Sequence, residues 1–292
     1  MSPNTIGVDL TYQEIQQSNF AGRAAVLAQQ IAGAKPDVVS LQEVSLWIAG
    51  PDPYHLAPVF DQLSLLLSAL ADANQHYDVV AVNPLTTAAL PMSNGIWLGF
   101  MDRDAVLIRK SPAITAANIR VNTFKNILTI PSPLGELKAP QGWIAADVTV
   151  DSSTFTLVET HLQSTLAGHP EVDQIQASQA QELTAVDFGP YPVVIAGDFN
   201  SNATHTPPEH TASVTAVTSA GYTDTWPAVH HGNPGFTWPL YLEDPLAAHP
   251  NGPFERIDFI FERGLTIRSV DRTGWNAPHA SDHAAVVAIL SF

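Results

Sequence analysis

The clearest chemical signal in the sequence follows a short, fully apolar run at residues 193–196. Asp198 and Asn200 come soon after it, and in extended backbone their spacing points both side chains the same way. Gly197 would let the chain bend or let another group approach closely. A carboxylate that orients water, beside an amide that donates to an oxyanion, suits hydrolysis of a charged ester. The alternative is a turn rich in Asp and Asn after a strand.

Two more polar side chains follow apolar segments. Glu43 comes after residues 38–41, and a carboxylate at a strand end can hold Mg²⁺, which prefers oxygen ligands and keeps several waters. His161 comes after residues 155–160, where its ring could donate to a phosphoryl oxygen. The alternatives are a surface glutamate and a core histidine that bonds to a backbone carbonyl.

The last third of the chain adds three candidates. Asp258 lies within the apolar segment 256–261 and needs a partner, because an unpaired buried charge is costly. A histidine imidazolium is one natural partner, and a structural ion pair with an arginine is the alternative. Asp282 and His283 precede the closing apolar segment, where they could serve a metal ion and a phosphate. The alternative is a turn capped by Ser281 and Asp282.

These side chains require helices and strands to bring them together, and the spacing of apolar residues predicts an alternation of the two. The predicted helices cover residues 19–34, a segment opened by Pro58 with Leu63, Leu66, Leu67 and Leu70 on one face, residues 172–186, and a stretch near 209–220. The predicted strands are 37–41, 77–82, 105–108, 119–130, 143–150, 155–160, 193–196, 256–261, 265–270 and 284–290. Residues 84–102 and 201–255 are predicted as long connections. In the first, the apolar stretch 95–100 either touches a membrane or forms a plain strand.

Length and composition indicate a folded protein. The 292 residues are 45% hydrophobic and 14% charged, the opposite of the balance in disordered chains. No Gly/Ser-rich linker divides them, so we expect a single domain over residues 1–292. No apolar run approaches the roughly eighteen residues of a membrane span. Because there is no cysteine, disulfides, thiolate metal sites and a cysteine nucleophile are excluded.

Net charge restricts the partners. The chain has 12 Lys and Arg against 28 Asp and Glu, which gives a formal net charge of −16. Nucleic-acid-binding proteins usually neutralise phosphates with clustered basic residues, so phosphate chemistry here would rely on a bound cation. The first residues lack the basic and apolar regions of a secretory signal. This indicates either a cytoplasmic protein or one from which an N-terminal segment has been removed.

Taken together and in this order, the polar segments resemble one family, the endonuclease/exonuclease/phosphatase superfamily, also called deoxyribonuclease-I-like. The matching motifs, which span residues 37–292, are Leu41-Gln42-Glu43-Val44, Thr160-His161-Leu162, Gly197-Asp198-Phe199-Asn200-Ser201, Arg256-Ile257-Asp258-Phe259-Ile260 and Ser281-Asp282-His283. The resemblance implies an α/β fold, a four-layer α/β/β/α sandwich of two stacked, mostly antiparallel sheets flanked by helices. It also implies hydrolysis of a phosphoester with Mg²⁺ or Mn²⁺ as cofactor, and we expect a monomer.

The resemblance also implies roles for the catalytic side chains. Asp198 would orient and deprotonate the attacking water, and Asn200 would help to hold that water or a phosphoryl oxygen. His161 and His283 would contact non-bridging oxygens, and Asp258 would pair with His283 and keep it cationic. Catalysis would then consist of positioning and charge neutralisation, without a covalent intermediate.

The implied metal site departs from the family pattern. Glu43 would be the main metal ligand, and Asp282 would lie at the metal or its waters. Family members usually begin with a buried strand that ends in an asparagine ligand. Asn4 lies near that place, but the strand before it is missing or shortened, so the N-terminus is either truncated or built differently. The affinity for the metal depends on this difference.

Substrate choice is expected to depend on the loops. Trp226 and Trp238, in the segment 201–255, either stack on bases or pack the loop. Three functions follow: a phosphodiesterase or phosphatase for a small or lipid-derived phosphate, a nuclease of the same superfamily, and a catalytically impaired binding module with a defective metal site. The low basic content favours the first over the second.

Overall fold

The computed structural model describes residues 3–132, 135–166, 169–203, 212–241 and 248–292, apart from the side chains of residues 3–6, 132 and 135. In these ranges the helices are α1 (Pro3–Gln17), α2 (Phe20–Ala34), α3 (Gln62–Asp72), α4 (Pro170–Thr184), α5 (Ala212–Ser219) and α6 (Thr225–Val229). The strands are β1 (Val38–Leu41), β2 (Leu46–Gly50), β3 (Ala57–Asp61), β4 (Tyr77–Pro91), β5 (Trp97–Arg109), β6 (Ile114–Thr123), β7 (Leu128–Ser132), β8 (Gly135–Ala139), β9 (Gly142–Val150), β10 (Ser153–His161), β11 (Val193–Asp198), β12 (Thr223–Asp224), β13 (Asp258–Arg263), β14 (Thr266–Thr273) and β15 (Ala285–Ser291). Within the described ranges, no helix combines the length and the hydropathy that crossing a membrane requires.

The helix predicted over residues 19–34 forms where capping and apolar spacing agree. The Asn19 side chain accepts a hydrogen bond from the Gly22 N–H at the start of α2, and Lys35 ends the helix in the left-handed conformation. The residues buried along one face of α2 are Phe20, Ala24, Ala28 and Ile31. This face is the one that the helical spacing predicts.

The next helix begins later than predicted. Pro58 lies in β3, opposite Ile48 of β2, and α3 begins at Gln62. Asp61 is the residue that starts the helix, because its carboxylate accepts the Leu63 N–H at 3.1 Å. β3 is an edge strand, and a proline is tolerated there because no neighbouring strand needs its missing N–H.

The prediction of a connection at residues 84–102 is wrong. β4 continues through Pro84 to Pro91, the chain turns, and β5 begins at Trp97, so the segment forms a long hairpin. Local sequence favours a loop because it contains prolines. Pairing with β5, which accommodates two register shifts in β4, overrides that preference.

Two large sheets form the middle of the molecule. One has the order β1-β5-β2-β3, with β4 also paired to β5, and the other has the order β12-β13-β11-β10-β9-β6. Two smaller sheets are formed by β14 with β15 and by β7 with β8. β10 and β11 run parallel, whereas the other described strand pairs are antiparallel. The sheets are therefore mostly antiparallel, as expected.

Apolar clusters show how the layers stack. Between the two sheets, Val106 of β5 packs in one cluster with Ile144 of β9 and Val194 of β11. α2 and α3 cover the outer face of the first sheet, and their contacts centre on Leu66. α4 and α5 cover the outer face of the second sheet around Leu183. The order helix, sheet, sheet, helix confirms the predicted four-layer sandwich.

The N-terminal segment forms a helix where the resemblance implies a strand. Asn4 lies in α1, and its side chain is outside the described part of the chain. Among the described strands, β1 pairs only with β5, and β15 pairs only with β14, so each has one edge without a strand partner. α2 packs against β1 in one apolar cluster, and its Arg23 Nη1 also donates to the carbonyl of Ala280, shortly before β15, at 2.9 Å.

Gly197 permits the neighbouring strand β10 to approach closely, which is one of the two roles that the sequence predicts for this glycine. It pairs with Thr160 in the parallel β10–β11 register, and a Cβ built on it would lie 1.8 Å from the Thr160 carbonyl oxygen. By contrast, a Cβ on Gly33 of α2 would meet nothing within 4 Å. A side chain at position 197 would therefore push β10 and β11 apart.

We expect Gly197→Ala to lower the melting temperature sharply or to prevent folding. Gly33→Ala is the matched control and should leave the melting temperature equal or slightly higher, because glycine in a helix costs roughly 0.5–1 kcal/mol relative to alanine. Thermal denaturation followed by circular dichroism compares the two. A Gly197→Ala protein that melts like the wild type would contradict the close approach.

Candidate active site

Three neighbouring strands bring three of the predicted site residues into one row. β10 ends at His161, and its parallel pairing with β11 places His161 beside Asp198. β13 begins at Asp258, which faces Asp198 across an antiparallel pair. His161, Asp198 and Asp258 consequently lie side by side at one edge of the second sheet.

Asp258 has the partner that its partly buried charge requires. His283 Nδ1 lies 3.0 Å from Asp258 Oδ2 and 3.2 Å from Oδ1. Burial alone would lower the pKa of His283, but the charge and hydrogen bond of Asp258, with other nearby carboxylates, outweigh it and raise that pKa to about 10. Asp258 therefore favours the cationic form of the imidazole. The neighbouring Arg256 binds Asp224 instead, through hydrogen bonds of 3.0 and 2.7 Å.

His161 is buried between a carboxylate and an amide. Its Nδ1 lies 3.6 Å from Asp104 Oδ1, an ion-pair distance rather than a full hydrogen bond. On the other side, Asn200 Nδ2 donates to the Leu162 carbonyl at 3.0 Å and faces His161 Nε2 at 3.1 Å. Burial opposes the charged ring, but Asp104 and two further carboxylates outweigh it and raise the pKa of His161.

Asp198 lies at the centre of the row and is almost fully buried. Its Oδ1 accepts the Asn200 N–H at 2.7 Å, and its Oδ2 lies 3.8 Å from His161 Nε2. Burial, followed by the charge of Asp258, raises the pKa of Asp198 to about 7. A carboxylate with a pKa near neutrality is suited to accept a proton. Asn200 adopts the left-handed backbone (φ 49°) that turns its side chain toward His161.

Sequence reasoning missed three further acidic residues behind this row: Asp102 and Asp104 on β5 and Glu159 on β10. Gln42 Nε2 donates to Glu159 Oε1 at 2.9 Å, whereas Glu159 Oε2 and Asp104 Oδ2 have no hydrogen-bond partner within the described residues. Burial, followed by the charge of Asp104, raises the pKa of Glu159 well above its usual value. Burial also raises the pKa of Asp102 to about 7. The available signal was a carboxylate inside an apolar strand, the same signal that identified Asp258.

Glu43 approaches the acidic residues from the end of β1. Its backbone N–H donates to Asp104 Oδ1 at 3.3 Å, and its side chain is exposed. The Glu43 charge contributes to raising the pKa of Asp102, so the carboxylates are close enough to repel each other. Glu43 also has a positive φ of 56°, a conformation that is rare outside glycine and concentrates at functional sites.

The donor types on the Glu43 side of the site are those that a hard divalent cation prefers. Glu43, Asp102 and Asp104 supply oxygen donors, the type that Mg²⁺ and Mn²⁺ prefer, and one Asp104 oxygen lacks a partner among the described residues. Among the described residues, the group of three whose ligand atoms all lie within 4.8 Å of one another is Asp198, Asp258 and His283. In that group His283 Nδ1 is already engaged by Asp258.

Of the remaining predicted residues, Asp282 and Trp238 lie next to the site, whereas Trp226 packs within its own loop. Asp282 Oδ2 accepts the Trp238 indole N–H at 3.2 Å, and the Trp238 ring lies 6.3 Å from the His283 ring, so both are adjacent to the site. Trp226 is only 4% exposed, and its indole N–H donates to the Asn233 carbonyl at 3.0 Å. Trp226 therefore packs its loop, and Trp238 is the aromatic residue near the polar row.

The four-layer sandwich, with its histidines and carboxylates gathered at one sheet edge, defines a deoxyribonuclease-I-like α/β protein. The model of the endonuclease/exonuclease/phosphatase family matches residues 15–283, and the chain belongs to this family. A comparison with curated proteins finds no match to the sequence.

Solved structures share this fold at low sequence identity. An endonuclease/exonuclease/phosphatase from Beutenbergia cavernae is 23% identical with a TM-score of 0.62, and the match covers 92% of this chain and 66% of that one. This chain therefore spans just under two thirds of that relative's length. An endonuclease/exonuclease/phosphatase family protein from Leptotrichia buccalis is 17% identical with a TM-score of 0.60, and the match covers 94% of both chains. The human Nocturnin catalytic domain, solved with a bound sulfate anion, is 20% identical with a TM-score of 0.56, and the match covers 92% of this chain and 86% of that one.

The buried charge of Asp198 should destabilise the fold as the pH rises. The pKa is about 7 in the folded protein against 3.8 for the free group, so between these values the native state binds more protons than the unfolded state. Stability consequently falls from about pH 4 to pH 7 and changes no further through this group above that. In buffer with chelator, Asp198→Asn should melt above the wild type by a margin that grows over this range, by roughly 2–4 °C for each kcal/mol relieved.

Circular-dichroism melts at several pH values measure this margin. Asp72→Asn, which removes an exposed carboxylate, is the control and should show no such growth. If the Asp198→Asn margin stays constant or shrinks between pH 4 and 7, the carboxylate does not have the raised pKa.

Proposed function

We propose that the protein hydrolyses a phosphoester with the help of a divalent cation, Mg²⁺ or Mn²⁺, and acts as a phosphodiesterase or phosphatase. The supporting observation is the row of His161, Asp198 and Asp258, with His283 bound to Asp258. It combines a carboxylate that can take a proton with imidazole groups that can donate hydrogen bonds, and it lies beside an acidic site that suits a cation. These are the groups that hydrolysis of a charged ester requires.

In the proposed mechanism, Asp198 takes the proton of the attacking water. The Asn200 backbone N–H, bound to Asp198 Oδ1 at 2.7 Å, holds the carboxylate in one orientation. Cationic His283 donates to a non-bridging oxygen and neutralises charge as it develops, and Asp258 keeps its proton in place. The His161 ring would face the same non-bridging oxygens from the other side of Asp198. The water attacks in line with the leaving group, without a covalent intermediate.

Glu43 would hold the cation, with Asp102 and Asp104 beside it and Asp282 at its waters. The bound cation would supply positive charge to the phosphoryl oxygens and lower the pKa of the attacking water. This arrangement suits a chain with a net charge of −16, because the protein itself brings few cationic side chains to the phosphate.

The substrate that the surface supports best is a small or lipid-derived phosphate. With 12 basic residues against 28 acidic ones, the chain repels a long polyanion more than it attracts it. Trp238 lies beside His283, and its ring centroid is 6.1 Å from that of Phe254, which is 43% exposed. This pair would form an apolar wall for the organic part of the ester.

Hydrolysis of bis(p-nitrophenyl) phosphate in Mg²⁺, Mn²⁺ or EDTA tests the proposal. We expect turnover that requires the metal and that falls by about 10²–10⁴-fold in Asp198→Asn, because a general base contributes an acceleration of this size. Asp72→Asn is the control variant and should keep wild-type turnover. A folded Asp198→Asn protein that retains most of the activity would contradict the mechanism, and a folded wild type that is inactive with every metal would favour an impaired binding module.

Plasmid DNA at low salt distinguishes the nuclease alternative. Because of the net negative charge, we expect little cleavage under conditions in which the chromogenic diester is hydrolysed. Gel electrophoresis with Mg²⁺ and with chelator measures this directly. Cleavage that requires the metal and exceeds hydrolysis of the small diester would make the nuclease the better assignment.

A further inference from the structure

The inner face of α4 carries two glutamines that are fully buried, Gln176 and Gln179. A buried amide is retained in a core only when its donors and acceptors are satisfied, because an unpaired one is costly. In both side chains the amide group binds the main chain outside α4. Three of these contacts go to the turns that follow β10 and β11, where the row of site residues ends, and the fourth goes to Asn126 between β6 and β7.

Gln176 joins these two turns directly. Its Nε2 donates to the Gln163 carbonyl at 2.8 Å and to the Asn200 carbonyl at 2.7 Å. Its Oε1 accepts from Ser213 Oγ at 3.1 Å. Both amide hydrogens are thereby used, one on each turn, so the Gln176 side chain fixes the separation of the two turns.

The two turns carry the groups that must stay aligned. Gln163 lies two residues after His161 along the chain. Asn200 binds Asp198 through its backbone N–H and faces His161 Nε2 with its side-chain amide. A shift of the Asn200 carbonyl would therefore move the amide that faces His161 and the N–H that orients Asp198.

We propose that Gln176 is a positioning residue for the phosphoester chemistry: its amide clamps the turn after His161 to the turn that carries Asn200. This inference rests on the proposed function. Gln176 itself acts only through His161, Asp198 and Asn200, because its polar atoms are all engaged within the core.

Gln179 provides a matched control on the same helix. It is equally buried, and its Oε1 accepts the Gln163 N–H at 2.8 Å, while its Nε2 donates to the Asn126 carbonyl at 2.8 Å. Gln179 therefore holds the turn after β10, and its hydrogen bonds within the described part of the chain do not include Asn200. Replacing either glutamine by leucine leaves buried main-chain groups unpaired, so both variants should lose stability.

The test compares Gln176→Leu with Gln179→Leu in steady-state hydrolysis of bis(p-nitrophenyl) phosphate. We expect Gln176→Leu to lower kcat by about 10- to 100-fold with KM changed less than about threefold, because a displacement of about 1 Å can cost this much in rate. Gln179→Leu should keep kcat within about threefold of the wild type. If Gln176→Leu does not fold, Gln176→Asn replaces it, since that shorter amide cannot reach both carbonyls.

A second readout does not depend on activity. The ¹⁵N and ¹H signals of the His161 imidazole, assigned by their loss in His161→Gln, report on the contact between Nε2 and the Asn200 amide. We expect these signals to move in the Gln176 variant and to stay near wild-type positions in Gln179→Leu. Equal kcat losses in the two variants, or unmoved His161 signals in the Gln176 variant, would overturn the inference. An inactive wild type whose His161 signals still move would count against the proposed function and leave the clamp supported.

Discussion

The parallel pairing of β10 with β11 is the constraint on which the candidate site depends. Two parallel strands end at the same edge of a sheet, so His161 and Asp198 become neighbours although many residues separate them along the chain. The close contact between the Thr160 carbonyl and Gly197 is part of this pairing. β13 then adds Asp258 on the other side of β11. Asp258 in turn holds His283 next to the row through a hydrogen bond.

Burial of charge is the second property that organises the site. Asp102, Glu159 and Asp198 are buried carboxyl groups whose pKa values are raised by burial and by neighbouring acidic groups, and the charges of the two histidines offset only part of that effect. Repulsion between buried carboxylates costs stability, and raised pKa values of this kind cluster at functional sites. A bound cation would relieve the repulsion, which links the strong negative charge of the chain to its family's phosphoester chemistry.

Local signals in the sequence predict the elements of this fold better than non-local ones do. α2 forms as predicted because its caps and its apolar face are encoded within the helix itself. The prediction at Pro58 is wrong because a proline is compatible both with a helix start and with an edge strand, and only the partner strand distinguishes them. Residues 84–102 form a hairpin because of pairing with β5, a contact that no local pattern reveals. The N-terminal helix α1 likewise has no strong apolar face from which it could be predicted.

The site shows the same division. Residue type and position after apolar strands predict His161, Asp198, Asn200, Asp258 and His283 as site residues, and the structure brings these five side chains together. Their mutual geometry, the raised pKa values and the acids behind them depend on which strands pair and how deeply each side chain is buried. Gln176 is the clearest example, since a glutamine in a helix is ordinary in sequence. Its contacts to two distant carbonyls exist only once α4 has packed against the second sheet, because burial and long-range distances are properties of the folded chain.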